Sequence, residues 1–264
     1  MNTPMTTHTT HTAHALSTTA YRPTSTLQTI WLIARRQMLE AMRGRTTVTM
    51  LIFSLALLTG MVWFTLRPLV DTPNPGSFAG TMIAFYLSYV GLLNSQSSIG
   101  VAAGVFAGDK ERGCLLPLLV TPASNIALFV GKLLGAVLPA LLYTLIGVVV
   151  YFGELVLFFH PQILSLVPVL LSVLIILLTV AFALFGAVVA SVISSRVSTF
   201  QAAQTYGSLV TTVLWIGFFV LVFTAASWGL WIFSLAVAGI YALDILLLIF
   251  SATTWRREEV MAKL

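Results

Sequence analysis

A run of four consecutive charges lies between two long apolar segments of this 264-residue chain, which is only 8% charged. The run consists of Asp109, Lys110, Glu111 and Arg112. It directly follows an apolar segment and precedes Gly113, which permits a turn. Four leucines that could fill a groove on another protein come next: Leu115, Leu116, Leu118 and Leu119. Because charges orient a bound protein and buried leucines supply binding energy, the pattern predicts a docking loop.

No catalytic motif accompanies this run. The sequence lacks the G-x-x-x-x-G-K-[ST] phosphate-binding loop, since Gly131 and Lys132 are followed by Leu133. It also lacks G-x-S-x-G and H-E-x-x-H. Three of the four histidines lie in the N-terminal tail without a nearby cysteine or acid, so they do not favour a metal site. We expect no enzyme activity, no metal and no cofactor in this chain.

The segment 109–122 resembles the E-K-E-R-G-T-L-E-x-L-L-x-[ST]-P signature of permease subunits in the type-2 ABC exporter superfamily. Residues 109–113 stand for E-K-E-R-G, and the end of the pattern matches Leu118, Leu119, Thr121 and Pro122. Two positions differ, since Cys114 replaces the usual threonine and Leu116 the usual glutamate.

This resemblance implies a permease that pairs with a second permease protomer, identical or related, and with separate ABC ATPase subunits. ATP and Mg would bind in the partner ATPase. Residues 109–113 and the four leucines would form the ATPase-coupling contact. Export is implied by the resemblance, and the residues leave the cargo open. The alternative is an ion-coupled secondary transporter or a channel-like membrane protein, although such a carrier usually needs several embedded ionisable groups.

The composition is that of a membrane protein. Apolar residues make up 58% of the chain, above the roughly 45–50% of soluble domains. Six segments reach the length of about 20 residues that a spanning helix needs: 47–66, 78–107, 124–158, 162–193, 200–224 and 228–253. We therefore predict an all-α integral membrane protein with one six-helix domain over 46–254. Pro139 and Pro168 are candidate kinks.

Basic residues set the predicted orientation. All thirteen Lys and Arg residues except Arg67 fall in the N-terminal region, in the second and fourth connections with their helix ends, or in the C-terminal tail. The positive-inside rule then places both termini in the cytoplasm, and we expect the protein in the cell membrane. The Thr- and His-rich tail 1–25 is predicted to be disordered, and 255–264 forms a second cytoplasmic tail. Because the charges are scattered between spans, the net charge of +5 does not favour a nucleic-acid partner.

An amphipathic helix is predicted over 26–45. Ser25 and Gln28 have the spacing of a capping box, and apolar residues then recur every three or four positions opposite several arginines. Such a helix is expected to lie in the cytoplasmic membrane interface against anionic lipid. The resemblance to type-2 exporters adds a helix of this kind at the same place.

Three acidic or basic residues fall inside the predicted spans, and one of them, Glu154, lies near the external end of its span, where an acid at the interface is ordinary and is assigned no role. Lys132 and Asp244 lie at similar estimated depths, so a mutual ion pair is plausible. The alternative is that Lys132 extends to the headgroups while Asp244 is protonated or locally hydrogen-bonded.

A polar run interrupts the second span. It consists of Asn94, Ser95, Gln96, Ser97 and Ser98. Five consecutive polar residues occupy more than one face of a helix, so the run is a candidate translocation path lined by a polar cavity. Interhelical hydrogen bonding without a cavity is the alternative.

Overall fold

The computed structural model describes residues 25–70, 76–113, 124–159 and 161–254. Seven α-helices and one 3-10 helix make up these residues: α1 (Thr26–Arg43), α2 (Arg45–Val70), α3 (Gly76–Glu111), α4 (Asn125–Phe159), the 3-10 helix (Pro161–Leu166), α5 (Val169–Arg196), α6 (Phe200–Trp228) and α7 (Leu230–Thr254). Helices α2 to α7 are each long and apolar enough to cross a membrane. The predicted all-helical architecture with six candidate spans is therefore confirmed.

The fourth span begins later than the sequence predicted. Residues that were expected to start it form the 3-10 helix Pro161–Leu166, and Pro168 occupies the N-cap of α5. Pro168 therefore precedes the helix and does not kink it, because proline is tolerated at a helix start where no intrahelical N–H bond is lost.

Helix α3 lies at the centre of the bundle and packs against α2, α4, α5 and α6. Its contact with α5 is close, since a Cβ atom on Gly91 would come within 2.1 Å of the Thr179 hydroxyl oxygen. In the membrane-spanning part of α3, 67% of the residues are buried, whereas only 17% are buried in the corresponding parts of α6 and α7. The outer helices therefore present broad apolar faces, as expected for elements that contact lipid or another membrane protein.

Helix α1 packs against the beginning of α4. Its N-terminus has the predicted capping box, in which Ser25 and Gln28 satisfy each other's backbone N–H groups. Ala34 is fully buried, and a Cβ atom on Gly135 of α4 would lie 2.4 Å from the Gln37 side chain. A glycine on α4 thus allows α1 to approach its backbone, while Trp31 on α1 remains exposed.

Candidate functional site at the charged end of α3

Helix α3 continues one turn beyond the predicted boundary and carries the charged run into its last turn. The helix ends at Glu111, and Gly113 adopts a φ of 66°. Only glycine adopts this left-handed backbone at little cost, and the Gly113 N–H donates to the Lys110 carbonyl at 3.1 Å. Successive residues of a helix point about 100° apart. Asp109, Lys110 and Glu111 therefore point in three directions from one turn.

Asp109 reaches α4. Its Oδ2 atom accepts a hydrogen bond from the Lys132 ammonium at 2.7 Å, forming a salt bridge in which the lysine side chain is 3% exposed and the aspartate 26%. The same ammonium donates to the Val105 carbonyl of α3 at 2.9 Å and lies 4.5 Å from the Phe106 ring centroid. A buried charge needs such partners, because an unpaired one is strongly destabilising. Lys132 therefore locks α4 to the end of α3.

The prediction that Lys132 forms an ion pair with Asp244 was wrong, because Lys132 pairs with a different residue. Lys132 is bonded to Asp109, and neither carboxylate oxygen of Asp244 has a hydrogen-bond partner among the described residues. Similar depth along two helices does not determine which way their side chains point. Side chains tilt toward the N-terminus of their helix. Lys132 thus extends toward the beginning of α4, where the end of α3 lies.

Lys110 reaches the end of α5. Its ammonium donates to the carbonyls of Ser195 at 3.0 Å and Val197 at 3.2 Å. The last carbonyls of an α-helix lack intrahelical partners and carry partial negative charge. A lysine from another helix therefore caps α5 and fixes its end to α3.

Glu111 reaches the beginning of α6. Its Oε1 atom accepts a hydrogen bond from the backbone N–H of Phe200, the first residue of α6, at 2.8 Å. The first N–H groups of a helix lack intrahelical acceptors, so a carboxylate stabilises this position. Phe200 also packs on α3, where a Cβ atom on Gly104 would come within 2.7 Å of its ring. The start of α6 is thus held by both polar and apolar contacts.

One further contact joins α3 and α5, about one turn before the last turn of α3. The hydroxyl oxygen of Ser194 accepts from the backbone N–H groups of Phe106 and Ala107 at 3.1 and 3.0 Å. We name the set of contacts made by Asp109, Lys110 and Glu111 to α4, α5 and α6 the helix clasp. Three adjacent residues therefore connect three different helices to one turn of α3.

The helix clasp changes the interpretation of the charged run. The sequence suggested that the charges orient a partner protein, but Asp109, Lys110 and Glu111 make contacts within the chain. Arg112 and Gly113 are exposed beyond them. The leucines of the predicted docking loop, Leu115, Leu116, Leu118 and Leu119, lie outside the described residues, as do residues 1–24 of the predicted tail 1–25 and the predicted tail 255–264. The clasp contacts of Lys110 and Glu111 depend on where the turn between α5 and α6 lies, which no local pattern in the sequence reveals.

The polar run of α3 is largely enclosed. Asn94, Ser95 and Ser98 are buried, while Gln96 and Ser97 are half-buried. The serine hydroxyls donate to carbonyls one turn earlier in α3, and Ser98 also reaches the Ala183 carbonyl of α5 at 3.2 Å. The run therefore bonds within α3 and to α5 in this conformation, and its place in a translocation path stays a proposal.

Metal-binding side chains are not clustered in the part of the chain that the structure describes. No group of three or more His, Cys, Asp or Glu residues there is placed to hold a metal ion.

The six apolar helices define a multi-pass membrane protein. The chain is similar to a Pseudomonas aeruginosa protein named "Probable ABC transporter permease protein NosY". The two are 29% identical over 207 residues, which cover 75% of this chain and 69% of the relative. No protein-family model matches the chain.

Proposed function

We propose that this chain is the membrane-spanning permease subunit of an ATP-driven ABC exporter of the type-2 superfamily. Its energy would come from a separate ABC ATPase subunit that binds ATP and Mg. The similarity to a protein named as an ABC transporter permease supports the class. The motif at 109–122 supports the superfamily and the coupling role.

The observation that carries this proposal is the position of the helix clasp at the start of the predicted docking loop, immediately before its leucines. A force applied to the loop acts on the last turn of α3 and on the beginning of α4, which the loop connects. From there Asp109, Lys110 and Glu111 convey it to α4, α5 and α6 through direct hydrogen bonds. Helices move as rigid elements when their ends are displaced. A docked ATPase would thereby shift four spanning helices together.

Further parts of the proposal concern partners and orientation. A second permease protomer would cover part of the exposed apolar surface, and lipid the remainder. Both termini and the docking loop would face the cytoplasm of the cell, following the distribution of Lys and Arg. Helix α1 would lie along the inner membrane surface, with Trp31, which is 57% exposed, directed into the interface. The polar run 94–98 would border the translocation path.

Two sets of variants test docking and transmission separately. The full-length chain is affinity-purified from its native membranes, an ABC ATPase is identified by mass spectrometry, and ATP hydrolysis is measured in proteoliposomes. Leu118→Asp should abolish co-purification of the ATPase, because it puts a charge into an apolar contact. Lys110→Met combined with Glu111→Ala should retain the ATPase but reduce stimulated hydrolysis at least about tenfold, a change of about 1.4 kcal/mol.

A matched control is Leu164→Asp, which places the same charge on an exposed leucine of the 3-10 helix at the opposite ends of α4 and α5. This variant should keep both the ATPase and its stimulated activity. Absence of an ABC ATPase from the purified wild-type complex, or full coupling in Leu118→Asp, would contradict the proposed function and favour the ion-coupled carrier.

A further inference from the structure

Glu154 is a buried carboxyl group that the proposed coupling mechanism does not use. It lies on α4 and is 8% exposed. One of its oxygens, Oε1, is hydrogen-bonded to the hydroxyl of Thr59 on α2, and the other, Oε2, has no partner among the described residues. Thr59 is near the middle of the apolar stretch Leu51–Pro68. The carboxyl group is therefore held at membrane depth and not at the surface, although Glu154 is close to the end of its own helix.

The hydrogen bonds around Thr59 show whether Glu154 is ionised or protonated, because each of them needs one hydrogen atom. The Thr59 hydroxyl lies within hydrogen-bond distance of two oxygen acceptors, Glu154 Oε1 and the Leu55 carbonyl at 3.0 Å. A hydroxyl has one hydrogen to donate and two lone pairs with which to accept. If Glu154 is ionised, one of the two contacts lacks a hydrogen. If Glu154 is protonated, its O–H donates to Thr59 and Thr59 donates to Leu55, so both contacts are satisfied.

A second threonine of α2, Thr65, makes a matching pair of contacts and can be compared with Thr59. Thr65 donates to the Met61 carbonyl and is also hydrogen-bonded to the Tyr86 hydroxyl of α3. A phenol carries its own hydrogen at neutral pH, so Tyr86 can donate to Thr65 while Thr65 donates to Met61. At Thr59, the Glu154 carboxyl group occupies the position that the Tyr86 phenol has at Thr65. It can donate a hydrogen bond to Thr59 only when it is protonated.

Charged neighbours do not change this conclusion. In the described chain the recorded salt bridge joins Lys132 to Asp109 and does not involve Glu154. Among the described residues, the phenol of Tyr151 on α4 interacts with the Glu154 carboxyl, and the phenol of Tyr86 on α3 interacts with Tyr151. Arg67 of α2 is about two turns beyond Thr59 and stacks on the Trp63 ring. The 3-10 helix and the adjoining half of α5 contain no ionisable residue, and His160 lies outside the described residues.

We propose that Glu154 is a proton-binding site of the membrane domain, protonated in this conformation and donating its O–H to Thr59. Removing the proton as H⁺ leaves a buried carboxylate without sufficient partners, which is costly at membrane depth. The Thr59–Glu154 bond joins α2 to α4, beside the contacts of Trp63 on α2 with Phe158 and Phe159 on α4. Loss of the proton therefore weakens the contact between α2 and α4 at Thr59. The bonded arrangement is favoured at low pH and is lost as pH rises.

Infrared spectroscopy of the full-length protein in lipid nanodiscs tests the site. The C=O stretch of a protonated carboxylic acid is separate from that of a carboxylate, and it shifts in D₂O. Wild type should show this band at neutral pH, and Glu154→Gln should lose it. Asp244→Asn is the control for the other buried carboxyl and should leave the Glu154 band in place. A folded Glu154→Gln protein with an unchanged band overturns the proposal.

A second measurement covers the case in which Glu154→Gln does not fold. Thr59→Val removes the acceptor of the Glu154 O–H, so the band should shift in frequency, while Thr65→Val should leave it unchanged. No shift in Thr59→Val overturns the proposal. Melting temperature is also measured against pH: it should fall with rising pH in wild type and in His160→Gln, and the fall should be smaller in Glu154→Gln, where Asp244 remains as a buried carboxyl. These readouts do not depend on an ATPase, so their failure is distinguishable from failure of the proposed permease function.

Discussion

The two residues of the Asp109–Lys132 salt bridge differ in how deeply they are buried. The lysine side chain is 3% exposed, whereas the aspartate is 26% exposed and in contact with solvent. Removing the aspartate leaves an ammonium group buried with the Val105 carbonyl and the Phe106 ring. Removing the lysine leaves a carboxylate that water can reach. The two deletions should therefore differ in cost.

We expect Asp109→Ala to lower the free energy of unfolding by about 3 kcal/mol or more, and Lys132→Met by about 1 kcal/mol. The double variant should cost less than the sum by at least about 1 kcal/mol, because no buried charge remains. Denaturant unfolding in detergent micelles measures all three. Lys132→Met with Asp244→Asn is the comparison cycle, and it should be additive within about 0.5 kcal/mol. Coupling to Asp244 instead of Asp109 would contradict the observed salt bridge.

Sequence patterns predicted local features of this molecule better than contacts between helices. The capping box at Ser25 was predictable because it depends on residues three positions apart. The position of Lys132 inside a span was predictable from hydropathy, but its partner required the direction of two side chains and the extra turn of α3. The contacts of Lys110 and Glu111 required the positions of two more helix ends. The residue types of Lys110 and Glu111 nevertheless indicated such contacts, because a cation stabilises a helix C-terminus and an anion stabilises an N-terminus.

Individual helices in this bundle are positioned by small residues as much as by charges. Gly135 of α4 allows α1 to approach its backbone, since an added Cβ would lie 2.4 Å from the Gln37 side chain and 3.0 Å from the Ala34 carbonyl. Gly153, on the same helix, has nothing within 4 Å of an added Cβ. The two glycines are therefore chemically matched but differ in packing.

Gly135→Ala should displace α1 and cost about 1 to 3 kcal/mol, the usual penalty for overpacking. Gly153→Ala should be neutral or slightly stabilising, since alanine favours a helix over glycine. The measurement is labelling of Ala34→Cys by a hydrophilic maleimide in a Cys114→Ser background. Ala34 is buried, so labelling should be slow in the parent protein and fast only with Gly135→Ala. Equal protection in both glycine variants would show that α1 is not held at Gly135.

The whole molecule exposes apolar side chains on several of its outer helices. Examples that are more than half exposed are Phe64 on α2, Val213 on α6, and Leu246 and Phe250 on α7. Such a surface is unfavourable in water but suits lipid. A six-span arrangement then fixes which connections share a side of the membrane.

Cysteine labelling in intact cells and inverted vesicles checks this arrangement. Cys114, between α3 and α4, should react with an impermeant maleimide only from the cytoplasmic side. Leu164→Cys in a Cys114→Ser background should react only from the other side, because Leu164 lies between α4 and α5. Val188→Cys, at a position 2% exposed, should react from neither. Labelling of Cys114 and Leu164→Cys from the same side would rule out the six-span topology.

The geometry of the helix clasp makes it sensitive to rotation of α3. The tips of side chains lie about 5 to 6 Å from the axis of a helix. Turning α3 by about 20° would therefore move all three tips sideways by about 2 Å, which exceeds the narrow distance range of a hydrogen bond. Since the three bonds radiate from one turn, they would break together. We expect the clasp to respond to torque in an all-or-none manner, so α4, α5 and α6 would be released in a single step.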